Sequence, residues 1–117
     1  MGEIVTAWLF GEHISDKNIK IVAALPNLET LMLGCCTNEV NVLDDNSFKA
    51  LRQTKTLRKF VFYGGVPELT EDMCKAIASL RQLEVLIVEF CPVDAQGEKH
   101  LKKMKWLKKL DLNKESD

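Results

Sequence analysis

Five short segments of this chain share one spacing of apolar side chains, and that repetition narrows the fold more than any other feature. They are VTAWLFG from Val5, LETLMLG from Leu28, LRKFVFY from Leu57, LEVLIVE from Leu83 and LKKLDLN from Leu107. Each is apolar at its first, fourth and sixth positions: Val5/Trp8/Phe10, Leu28/Leu31/Leu33, Leu57/Phe60/Phe62, Leu83/Leu86/Val88 and Leu107/Leu110/Leu112. Successive segments start 23, 29, 26 and 24 residues apart. A period in this range marks one supersecondary unit per repeat, which buries its apolar face by stacking on its neighbours. Within a segment the pattern is that of a strand, whose successive side chains point to opposite faces.

A second apolar register precedes four of the segments. Val22, Leu51, Ile77 and Leu101 lie six residues before a segment start, and Leu25, Leu80 and Met104 lie three before, with Thr54 the polar exception. Residues three apart share one face of a helix, so each unit reads as strand, loop, then helix. Asp16, Asn46, Thr70 and Asp94 are the expected N-caps, offering a side-chain oxygen to free backbone N–H groups. Pro26 discourages continuation of the first helix, and Pro67 and Pro92 fall in loops after strands.

These segments and spacings resemble the leucine-rich repeats over roughly residues 4–113, most closely the ribonuclease-inhibitor-like or cysteine-containing subclasses. LTEDMCKAIASLRQLEVLIV (69–88) is the most family-like stretch. The family pattern wants Asn or Cys three residues after the last apolar strand position. Cys36 and Cys91 match it, whereas His13, Gly65 and Glu115 depart from it. The resemblance implies one α/β domain over residues 1–117, a leucine-rich-repeat solenoid with about five parallel strands on the concave face and helices on the convex face. It also implies a protein-interaction module rather than an enzyme.

With positions 1, 4 and 6 turned to the core, positions 3, 5 and 7 line the concave sheet. Position 5 then reads Leu9, Met32, Val61, Ile87 and Asp111, four apolar residues in succession where water is expected. Contiguous exposed apolar surface marks interaction sites on globular proteins. The expected partner-binding residues are Leu9, Met32, Lys59, Val61, Tyr63, Val85, Ile87 and Glu89. Two other readings of the stripe stay open: β-favouring residues with no partner, and burial by self-association or by another part of a longer protein.

Composition is globular, at 46% hydrophobic and 28% charged residues, with apolar runs too short to span a membrane. The start MGEIVTAWLFGEH has no basic region before its apolar run and is not a secretory signal, so an intracellular, reducing, cytoplasmic setting is expected for Cys35, Cys36, Cys74 and Cys91. Gly2 and Thr6 formally meet a myristoylation pattern, an assignment weakened by Glu3 and the apolar residues between. No C-x-x-C pair, phosphate-binding loop or dinucleotide fingerprint is present, and His13 and His100 fall in different repeats, so no metal site, cofactor or catalytic set is expected. Cys36 and Cys91 read as small buried residues whose thiols reach loop carbonyls, and Cys74 as core.

Charge is uneven. Residues 1–98 hold nine basic and fourteen acidic residues, a balance of −5, and residues 99–117 hold seven and three, a balance of +4. Lys102, Lys103, Lys105, Lys108 and Lys109 form a basic patch, expected to be a solvated helix face followed by a lysine-rich edge strand. The partner class is therefore another protein in preference to nucleic acid or membrane. The alternatives are a recognition or autoinhibitory segment of a larger immune-receptor-type or ubiquitin-ligase-adaptor-type protein, a basic-edge binder of nucleic acid or anionic lipid, and self-association through exposed solenoid ends. The abrupt opening on one strand and closing on another motivates the first and last of these.

Overall fold

The structure, a computed structural model, describes residues 4–10, 15–34, 44–63, 68–89 and 91–113. Strands and helices alternate along these residues: β1 (Val5–Phe10), α1 (Asp16–Ala23), β2 (Leu28–Gly34), α2 (Asp45–Ala50) with a 3-10 turn over Leu51–Gln53, β3 (Lys59–Phe62), α3 (Glu71–Ala78), β4 (Val85–Glu89), α4 (Ala95–Lys102) and β5 (Lys109–Asn113). The five strands form one parallel sheet in the order β1-β2-β3-β4-β5. The protein is thus α/β, with each strand beside its successor in sequence.

The helices begin where side chains can satisfy free N–H groups. Thr70 and Asp94 cap α3 and α4 as expected, Thr70 accepting from the Met73 N–H and Asp94 from those of Gln96 and Gly97. The other two helices start elsewhere than the sequence suggests. Ser15 rather than Asp16 caps α1, and Asp44 rather than Asn46 caps α2 in a reciprocal box with Ser47. In both cases a good capping residue lies just outside the expected one. Adjacent helix starts are also tied: the Ser47 hydroxyl donates to the Asp16 carboxylate at 3.0 Å, and the Thr70 hydroxyl to Asp45 at 2.7 Å.

Each helix leaves through the same turn. The N–H groups of Leu25, Thr54, Leu80 and Met104 donate to the carbonyls of Val22, Leu51, Ile77 and Leu101, at 3.0–3.1 Å. The residues of the second apolar register therefore sit at and just after the helix ends. Polar side chains then reach back one unit: the Gln82 amide donates to the Thr54 carbonyl at 3.2 Å, and the Trp106 indole N–H to the Leu80 carbonyl at 3.1 Å. Trp106 is consequently a structural residue, with Arg81 stacked 4.3 Å from its ring centroid.

One contiguous apolar cluster lies between helices and sheet. Positions 1, 4 and 6 of the three central segments are at or near zero exposure: Leu28/Leu31/Leu33, Leu57/Phe60/Phe62 and Leu83/Leu86/Val88. They meet Ile19 and Val22 of α1, Phe48 of α2, Ile77 of α3 and Leu101 of α4. Phe48 packs edge-on against Phe60 and Phe62. Removing a side chain of this size from water contributes roughly 1.5–3 kcal/mol. Because strand and helix residues share one cluster, all four helices cover the same face of the sheet.

The first strand departs from the expected register. Val5 pairs with Leu28, but Thr6 pairs with Thr30, leaving Glu29 as an extra residue in β2. From there on β1 is shifted by one. Ala7 pairs with Leu31 and Leu9 with Leu33, and both pack on the core; Trp8 pairs with Met32 and Phe10 with Gly34. Leu9 is therefore not on the helix-free face, and Trp8 and Phe10 are not core. A one-residue slip exchanges the faces of a strand. Both alternations of VTAWLF are apolar, so burial separates the two registers only weakly, and the bulge fixes the observed one.

Candidate functional site

The helix-free face of the sheet is built from three cross-strand rows. The middle row runs Trp8, Met32, Val61, Ile87 and Asp111, each paired with the next across the ladder. The strands bring Met32, Val61 and Ile87 together as expected, and Trp8 takes the place expected for Leu9. Trp8 is 63% exposed, Met32 and Ile87 are half-buried, and Asp111 is exposed. Val61 is only 1% exposed although it is not part of the helix-side cluster. Its neighbours in the row, Met32 and Ile87, are apolar too, so the centre of this face is an apolar ridge with an aromatic end and an acidic end.

The row toward the strand starts reads Thr6, Thr30, Lys59, Val85 and Lys109. Lys59 and Lys109 are exposed and flank half-buried Val85. Toward the strand ends lie Phe10 paired with Gly34, then Tyr63 just beyond β3, then Glu89 paired with Asn113. The Phe10 ring lies over Gly34: a Cβ there would stand 2.5 Å from Phe10 Cε1 and 3.4 Å from Tyr63 Cβ. Trp8 meets Phe10 edge-on, with centroids 6.2 Å apart. An aromatic group thus gathers where β1 meets β2. Trp8 and Phe10 were the residues sequence reasoning missed. The available signal was Gly34, whose missing side chain leaves room for a ring on that face.

The basic patch is dispersed. Lys102 and Lys103 end α4, Lys105 lies in the following turn, and Lys108 and Lys109 lead into β5. All five are exposed, but Lys102 lies 2.8 Å from Glu98 and Lys108 lies 3.6 Å from Glu84, which also binds Arg58 at 2.6 Å. Lys109 stands on the helix-free face and Lys102 on a helix, so the cations do not converge on one surface. Leu101 and Met104, which interleave with them, are core.

The described thiols are placed for packing. Cys74 and Cys91 are fully buried, and burial pushes their thiols up from an ordinary 9.0 to about 12 and about 11. Cys91 Sγ lies 3.5 Å from the Pro92 carbonyl oxygen. A protonated, enclosed thiol is a poor nucleophile. His100 lies 3.1 Å from Glu71 and links α3 to α4. Among the described residues no group of three or more His, Cys, Asp or Glu is placed to hold a metal ion. Nor is any described helix long and apolar enough to cross a membrane. Gly2, Glu3, His13, Cys35, Cys36, Gly65, Pro67 and Glu115, singled out from the sequence, lie outside the described residues. No protein-family model matches the chain, and a search of curated proteins returns no match.

Proposed function

We propose that this chain is a short leucine-rich-repeat solenoid that binds another protein through the helix-free face of its parallel sheet. The repeat reading is supported by the sequential strand order, the recurring helix-to-strand turn and the apolar columns that pair strand by strand. The observation that carries the binding reading is the row Trp8, Met32, Val61 and Ile87, apolar across four strands on the side that no described helix covers, with Trp8 exposed, Met32 and Ile87 half-buried and Val61 buried between them. Lys59 and Lys109 on one side of that row, Glu89 on the other and Asp111 at its end supply a polar rim of both signs. Such a surface holds a partner by apolar anchors and sets its orientation by charge.

Affinity capture with quantitative comparison tests this. Met32→Asp and Ile87→Asp should each lower retention of a specific partner tenfold or more, the effect of losing a binding hot spot. Lys103→Glu, away from the face, should retain it. A partner held equally by the wild type and both aspartate variants would overturn the assignment of the face.

A further inference from the structure

The large apolar side chains that stand exposed among the described residues all belong to one flank of the molecule: Ile4 at 70%, Trp8 at 63% and Ile21 at 55%. Ile4 precedes β1, and β1 is an outer strand whose far edge pairs with no described strand. Its six residues, VTAWLF, carry no charge. Long uncharged edge strands pair readily with another chain, and folded proteins usually blunt them with lysine, proline or a cover. The α1 helix continues the same flank. It turns Asp16 toward Ser47 of α2 and Ile19 and Val22 toward the core. The side opposite α2 therefore carries Asn18 and Ile21, with exposed Lys17 one turn before Ile21 toward solvent; Leu25, beyond the helix, packs on the core. The other flank is unlike it: β5 carries Lys109 and Asp111, and α4 carries Lys99, Lys103 and the ion pair of Glu98 with Lys102.

We propose that the β1/α1 flank pairs with the same flank of a second copy about a two-fold axis. In that arrangement β1 runs antiparallel to the β1 of the second copy, α1 lies against its counterpart, and Ile21 sits near the axis. Charge selects this pairing among contacts between copies. Head-to-tail stacking would place the β5/α4 flank, with Lys99, Lys109, Asp111 and the Glu98–Lys102 pair, against the apolar Trp8 and Ile21, stripping water from these charges. It would also propagate into a filament, whereas the two-fold contact matches apolar surface to apolar surface and closes. The antiparallel pairing places no like charges opposite one another in the strand and opposes the two helix dipoles.

Sedimentation velocity across a concentration series tests the pairing, using the intact chain and three variants. The wild type should shift from one chain mass to twice that mass and stop there. Ile21→Arg and Ile4→Lys, both at exposed positions, should return the mass to that of one chain, with circular dichroism unchanged to show that folding survives. Ile87→Asp should keep the dimer while it loses partner capture, which separates this interface from the sheet-face reading. A wild type of one chain mass at every concentration would overturn the proposal. So would a mass that grows without limit, a dimer that survives both flank variants, or a dimer lost with Ile87→Asp and kept with Ile21→Arg.

Discussion

The two flanks of the sheet are built from the same unit and finished in opposite ways. At the β5/α4 flank, lysines lie outside, Trp106 is tied to a carbonyl and stacked under Arg81, and Leu101 and Met104 are enclosed. At the β1/α1 flank, the strand has slipped by one residue, Trp8 stands in the open and Ile21 faces outward. The central units show neither feature, because a neighbour on each side fixes their register and covers their edges. A strand–helix unit in this molecule therefore takes its conformation from its neighbours as much as from its own sequence.

The sharpest form of that contrast is energetic. Leu101→Ala empties an enclosed site and should cost about 2–5 kcal/mol in denaturant unfolding, whereas Ile21→Ala should change stability by about 0.5 kcal/mol or less. Equal costs would mean that the two flanks are equally well packed, and the contrast would fail.

Alkaline stability should follow the buried thiols, which lie on the α3/α4 side. The folded chain holds the protons of Cys74 and Cys91 up to about 12 and about 11, while the unfolded chain releases them near 9.0. Stability should thus be level below that ordinary value and fall as pH rises between it and the folded values. Cys74→Ala and Cys91→Ala should each flatten the fall. Urea midpoints measured against pH in the three proteins check the sign.

A smaller difference concerns two glycines. A Cβ at Gly97 would stand 2.6 Å from Cys74 Sγ and 3.3 Å from the Thr70 carbonyl oxygen, between two packed helices. Gly97→Ala should destabilise, its overpacking cost of about 1–3 kcal/mol exceeding the roughly 1 kcal/mol gained in helix propensity. In a Cys74→Ala background, which removes Sγ but keeps a Cβ 3.0 Å away, the same change should cost less than in the wild type. Gly34→Ala should cost less than Gly97→Ala, since the Phe10 ring it would strike belongs to an edge strand. Thermal unfolding of the four variants gives the ranking. Least of all, Glu84→Gln should lose about 0.2–1 kcal/mol through its exposed contacts with Arg58 and Lys108, an effect that fades with salt.

Most of the architecture was legible from apolar spacing, for a physical reason. In LETLMLG, LRKFVFY and LEVLIVE the first, fourth and sixth residues are large and apolar, and each lies between two neighbouring strands. Misplacing them would expose leucine and phenylalanine on both sides of the ladder. VTAWLF offers no such contrast, because Val5, Ala7 and Leu9 are as apolar a set as Trp8 and Phe10. The extra residue in the neighbouring strand, Glu29, decides between them and leaves no mark in the β1 sequence itself. The same limit explains the candidate face: Met32, Val61 and Ile87 were readable from alternation, but Trp8 was not. The ties between helix starts, and the carbonyls reached by Gln82 and Trp106, join residues 25–31 apart and follow from stacking rather than from local sequence.

The two tryptophans, one on each flank, give the molecule a pair of built-in optical reporters. Trp8 is 63% exposed, so its emission should lie to the red and a small quencher should reach it. Trp106 is partly enclosed, holds its indole N–H on a carbonyl and carries a guanidinium over its ring, so its emission should differ and be better shielded. With either tryptophan replaced by phenylalanine, the remaining signal follows one flank alone. Fraying that starts at β1 and loosening that starts at β5 then become separable events in time.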